Sequence, residues 1–223
     1  MKEDVLEQIV EDYLQFKGYF TIHNVRFKPS SRHADFVGDQ DRVSSDVDVV
    51  GYNPRLSGVD KVVVVSCKAW QKGFNPAGEL KKLRGLKSSG KKKGWSHFRE
   101  LWIPKWNEAF RREIEALTGE TTFGYRIAVT RLIGSGDSTE WAADPTIKAN
   151  LSGCSFDFLP LEEMWKELLG ELTKTPAASE IGRLAQLLKA AGLTDSKVVA
   201  LPTAPTPGSD AAIAEELEIN LTS

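Results

Sequence analysis

Residues 62–65 are four consecutive valines, followed by Ser66, Cys67 and Lys68. A β-branched run of this kind suits a strand covered on both faces, which places it at the centre of a sheet. Just upstream stands Asp46-Val-Asp48-Val-Val, then a turn rich in Gly, Asn and Pro. The stretches 43–52 and 61–69 therefore read as the two arms of a β-hairpin. Side chains alternate along a strand, so Asp46 and Asp48 are expected on one face, and Ser66 and Lys68 on one face. Charges are rarely buried unless they are paired or bind a metal, so packing alone does not account for them here. Carboxylates beside a lysine form a pattern suited to holding Mg²⁺ against a phosphate. Two residues before the lysine, where a carboxylate would complete a metal site, the chain has Ser66.

The flanking segments set this hairpin in a mixed sheet. Apolar positions Val5, Leu6, Ile9, Val10, Tyr13, Leu14 and Phe16 recur at helical spacing over 4–16, and Lys17-Gly18 supplies a cation and a C-cap glycine. Glu7 falls just past the edge of that apolar stripe. A strand is expected over 19–27, a polar loop over 29–41, a short helix over 77–87 and a basic loop over 88–94. The 97–117 segment reads as a helix kinked or split at Pro104. Strands follow over 125–133 and 155–159, and helices over 141–150, 161–172 and 179–191. This order predicts an α/β fold, a mixed central sheet with helices on its faces. The expected organisation is a domain over 1–172, a C-terminal helical extension over 173–200 and a flexible, Pro/Thr/Ala-rich tail over 201–223.

Charge is distributed unevenly. Between Lys61 and Arg112 there are 14 Lys/Arg against three acids (Glu79, Glu100, Glu108), while the rest of the chain has 15 against 28. A basic middle in a molecule of net charge −2 implies contact with a polyanion through one face. Within it, Lys81, Lys82, Arg84, Lys87, Lys91, Lys92 and Lys93 form a run with no acid, followed by Trp95, His97, Phe98, Trp102 and Trp106. Cations of this kind neutralise phosphates, and exposed aromatics stack on unpaired bases. Two distant cysteines, three histidines without ligand-like spacing and no long apolar segment argue against a zinc site and against a membrane span. A cytoplasmic protein with reduced thiols is the expectation.

In order along the chain, Glu7 to Tyr19, Asn24-Val-Arg26, Asp46-Val-Asp48-Val-Val and Val65-Ser-Cys-Lys68 resemble the PD-(D/E)XK nuclease superfamily, nearest its Holliday-junction-resolvase and Mrr-like restriction endonuclease branch. The resemblance covers roughly residues 3–170. It implies a restriction-endonuclease-like fold and a Mg²⁺- or Mn²⁺-dependent endonuclease acting on DNA. In that reading Asp48 is the metal-binding aspartate, and Lys68 positions or deprotonates the attacking water. Glu7 is the helix carboxylate near the metal, and the Cys67 carbonyl is a backbone ligand. Ser66 departs from the pattern because a hydroxyl holds a metal-bound water without adding charge. Either Asp46, Glu7 or Glu79 substitutes for the absent carboxylate, or the domain binds nucleic acid without cutting it. A homodimer is expected by analogy alone.

Overall fold

The structure, a computed structural model, describes residues 4–85, 97–171, 177 and 179–193. Its centre is a five-stranded sheet in the order β1 (Phe20–Phe27), β2 (Ser45–Tyr52), β3 (Val62–Lys68), β4 (Gly124–Val129) and β5 (Ser155–Pro160). The first three strands are antiparallel neighbours, and β3–β4 and β4–β5 are parallel. The valine run is thus the middle strand. Val62 and Val64 pack into one core while Val63 and Val65 pack into the other. Two hydrophobic layers claiming alternate residues of one strand explain why no polar position interrupts the run.

One layer belongs to α1 (Val5–Phe16) and α8 (Leu161–Glu171). Leu6, Ile9, Val10, Tyr13 and Leu14 of α1 pack there with Met164 and Leu168 of α8. Asp4 caps α1 by accepting from the Leu6 N–H at 2.9 Å, and Gly18 (φ +84°) lets the chain turn directly into β1. The other layer belongs to α3 (Pro76–Leu83), α4 (Arg99–Trp102), α5 (Pro104–Thr118), α6 (Ser138–Ala143) and α7 (Pro145–Asn150). Its centre is aromatic: Phe74, Phe98, Phe110, Phe123, Tyr125, Trp106 and Trp141 are all buried.

Proline and aspartate punctuate this second layer. The helix expected over 97–117 is two helices, because Pro104 starts a new one and Ile103 is extended at its N-cap. Asp144-Pro145 likewise divides the segment 141–150 into α6 and α7, with Asp144 capping the second through the N–H groups of Thr146 and Ile147. The loop expected over 29–41 ends in one helical turn, α2 (Gly38–Asp41). Asp41 is buried there, bound to Lys105 Nζ at 2.6 Å and Trp106 Nε1 at 3.1 Å.

The chain divides into two compact units, 1–186 and 187–223. The start of α9 (Glu180–Ala190) is fastened to α1 by a hydrogen bond from the Ser179 hydroxyl to Asp12. The tail expected over 201–223 lies outside the described residues. No described helix is long and apolar enough to cross a membrane.

Candidate functional site

The C-terminal end of β3 and the N-terminal half of β2 bring Asp48, Ser66 and Lys68 together. Asp48 Oδ2 accepts the backbone N–H of Cys67 and lies 3.9 Å from Lys68 Nζ. The ammonium donates to Ser66 Oγ at 2.7 Å and to the Cys67 carbonyl at 3.1 Å, and it stands over the Phe98 ring. The Asp48 and Lys68 side chains keep 19% and 15% of their surface exposed, so the pair is recessed yet open to solvent. Burial pushes the Asp48 carboxyl above its ordinary value, and the Asp46 charge adds to the rise, although Lys68 and the Cys67 N–H pull the other way. The Cys67 carbonyl, expected as a metal ligand, is engaged by Lys68.

Two further side chains complete the group, and neither is singled out by the sequence pattern. Glu100, on the short α4, is 3% exposed and accepts from Tyr125 Oη of β4 at 2.5 Å. Burial raises the Glu100 carboxyl, with the Asp48 charge adding to it and Tyr125 and Lys68 opposing. Tyr125 is pushed well up by burial and by Glu100, while the Ser66 hydroxyl beside it acts in the opposite sense. A chain of polar groups therefore runs Asp48, Lys68, Ser66, Tyr125, Glu100 across β2, β3, β4 and α4. In the sequence Glu100 is simply one of three acids in a basic stretch. Its one local signal is its setting between Phe98 and Leu101, both fully buried.

The backbone changes character where Asp48 sits. Register between β1 and β2 is constant on either side of Asn24 and Asp48, but that pair is missing from the ladder, and Asn24 has φ +53°. Val47 packs into the aromatic layer and Val49 into the α1/α8 layer, although residues two apart on a regular strand share a face. On β1, Val25 packs into the aromatic layer, while His23 lies 3.1 Å from Glu11 of α1. Both strands turn over together at this step. Period-two alternation thus does not carry from Asp46 to Asp48; what connects the two is the charge of exposed Asp46 acting on Asp48.

The remaining expected residues fall elsewhere. Glu7 lies in the first turn of α1, and its charge is felt at the Cys67 thiol, which burial pushes well up. Glu79 of α3 is buried and paired with Lys82 Nζ at 2.5 Å. Arg84 is likewise paired, 2.8 Å from Asp144, which leaves Lys81 exposed on α3. Two of the three described cations of the basic run are therefore neutralised within the fold. Lys87, Lys91, Lys92 and Lys93 lie outside the described residues. Among the described residues no group of three or more His, Cys, Asp or Glu is placed to hold a metal ion.

No family model matches the chain, and no curated relative matches it. Among solved structures it is similar to AF1548, a protein of unknown function, at 11% identity and a TM-score of 0.34. That match covers 72% of this chain, and the chain spans 64% of the length of AF1548, just under two thirds. At this level the likeness bears on neither fold nor function.

Proposed function

We propose that the protein is a metal-dependent nuclease that hydrolyses DNA phosphodiester bonds at the Asp48–Lys68 site. The observation that carries this reading is the convergence of a partly buried carboxylate and an ammonium, 3.9 Å apart, at the ends of neighbouring strands. A carboxyl whose charged form is disfavoured by burial, with a specific lysine partner opposing that shift, is the kind of group that functional sites gather.

The donor set fits a hard divalent cation. Mg²⁺ is ordinarily held through one or two carboxylates together with water and substrate phosphate, not in an all-protein cage. Asp48, with Asp46 near enough to act on it, meets that requirement, and the absence of a three-ligand cluster among the described residues is compatible with it. When bound, Mg²⁺ or Mn²⁺ would polarise a phosphoryl oxygen and lower the pKa of a coordinated water. The chain's own groups do the rest. Lys68 is held by Ser66 Oγ, the Cys67 carbonyl and the Phe98 ring, so its ammonium meets the developing phosphate charge without first reorganising. Tyr125 and Glu100 brace the Ser66 side of this arrangement from below. The Cys67 N–H fixes the Asp48 carboxylate in place, and that carboxylate would hold the cation.

A second reading follows from Ser66 and from the lack of a three-ligand cluster: a module on a nuclease scaffold that binds nucleic acid without cutting it. Incubation with linear, circular and branched DNA in Mg²⁺, Mn²⁺ or EDTA separates the two. A nuclease cuts in metal and not in EDTA, and Asp48→Ala and Lys68→Ala each abolish cutting. Metal-independent binding with no cleavage of any substrate would leave the second reading standing and remove the first.

A further inference from the structure

Among the described residues, a group of exposed cations gathers away from the basic run of the sequence. A cleft of about 750 Å³ opens between the end of β1, the 28–44 segment and α5, and Arg26, Lys28, Arg42 and Arg112 line it. All four are exposed, and among the described residues none forms an ion pair. Two acids also line the cleft. Asp41 is already bound by Lys105, Trp106 and the Val37 N–H, which leaves exposed Glu113 as the one uncompensated carboxylate there. Four cations from three separate elements border one concavity, and like charges gathered in this way favour an anionic occupant.

Its position identifies that occupant further. Arg26 lies directly opposite Asp46 in the β1–β2 register, two residues from Asp48. A polyanion seated in the cleft would therefore lie beside the strand step that carries Asp48. Guanidinium forks grip phosphate oxygens in pairs, and three of the four groups are arginines.

We infer that this cleft is the seat of the phosphodiester backbone of a DNA strand whose neighbouring phosphate reaches Asp48 and Lys68. The inference rests on the reading of DNA as substrate. It assigns the main described phosphate contacts to Arg26, Lys28, Arg42 and Arg112, and not to Lys82 and Arg84.

Fluorescence anisotropy in EDTA tests this binding apart from any cleavage, with a labelled duplex and a labelled single strand titrated between about 50 and 200 mM salt. Each lost phosphate contact flattens the dependence of log K on log salt by about 0.9 for duplex and 0.7 for single strand. Arg26→Gln/Arg112→Gln should flatten it by about 1.8 or 1.4, which lowers affinity near 0.1 M salt by about 60-fold or 25-fold. The form that the wild type binds more tightly at equal salt is the preferred strand form. Arg26→Lys/Arg112→Lys should keep the slope, and Lys166→Ala on α8 should change nothing. Unchanged slope and affinity in the Gln double variant, an equal loss in Lys166→Ala, or no DNA binding by the wild type would each overturn the assignment. Binding lost in the Gln variant without cleavage by the wild type would refute the nuclease and keep the cleft. Cleavage by the wild type with an unaltered slope in the Gln variant would do the reverse.

Discussion

Replacing Asp48 with asparagine should stabilise the fold while destroying its chemistry. Burial is the largest influence on the Asp48 carboxyl, and the net effect raises its pKa. The folded protein therefore resists ionising this group more than the unfolded chain does, so the charge is a liability at neutral pH. The sign with pH follows. Below the unfolded value of 3.8 both states are protonated and the penalty is absent. It grows as pH rises through the interval up to the raised folded value and is complete above it. Asparagine keeps an oxygen to accept the Cys67 N–H, so Asp48→Asn removes the penalty with the hydrogen bond intact. Single stabilising substitutions are commonly worth about 0.5–2 kcal/mol, and the gain is expected in that range. Asp48→Ala differs, because it leaves the Cys67 N–H without its acceptor at a cost of about 1–3 kcal/mol. Urea unfolding at pH 7 should therefore rank asparagine above wild type and alanine below asparagine. The asparagine advantage should fade toward pH 3.5. An asparagine variant less stable than wild type at pH 7, or an advantage independent of pH, would refute the reasoning.

Three other outcomes follow from named contacts. Asn24→Gly should keep or slightly raise the melting temperature, because glycine adopts φ +53° freely, whereas Asn24→Val should cost about 1–2 kcal/mol and reduce cleavage by displacing Asp48; equal behaviour of the two variants would mean that the backbone at this step is not constrained. Cys67, its thiol pushed well up by burial and by the Asp48 charge, should stay unmodified by iodoacetamide at pH 8 in the folded protein and react once unfolded, as mass spectrometry of the tryptic peptide would report. Asp41 is buried against Lys105; although burial opposes its ionisation, Lys105 and the Val37 N–H more than compensate, and its pKa is lowered. Its contribution is therefore present above pH 3.8 and is lost as pH falls below that value, and Asp41→Ala should cost about 3–5 kcal/mol in urea unfolding at pH 7 by leaving the mostly buried Lys105 ammonium without its carboxylate.

Much of the architecture is written in local pattern. The valine run declares a central strand because both faces are covered, and Pro104 divides its helix because a proline cannot donate to the turn before it. Asp48, Ser66 and Lys68 were legible for the same reason, since adjacent hairpin arms bring their ends together whatever the rest of the chain does. What was not legible depends on distant pairings. Tyr125 meets Ser66 because parallel pairing sets β4 beside β3, and Glu100 meets Tyr125 from α4; no spacing in the sequence encodes these contacts. The reversal of faces at Asn24 and Asp48 is a backbone event with no compositional signature beyond an asparagine, the residue that tolerates positive φ best after glycine. Charge counts ignore partners: Glu79 and Asp144 pair with Lys82 and Arg84, while Arg26, Lys28, Arg42 and Arg112 come to line one cleft through the fold.

The most direct measurement is the initial rate of cleavage of closed circular duplex DNA in Mg²⁺ by wild type and by Asp48→Asn, each confirmed folded at the assay temperature. Wild type should nick in a metal-dependent manner, and the equally or more stable asparagine variant should lose at least about 100-fold in rate. Nicking at the wild-type rate by the variant, or none by the wild type in either Mg²⁺ or Mn²⁺, would contradict the proposed Asp48–Lys68 site.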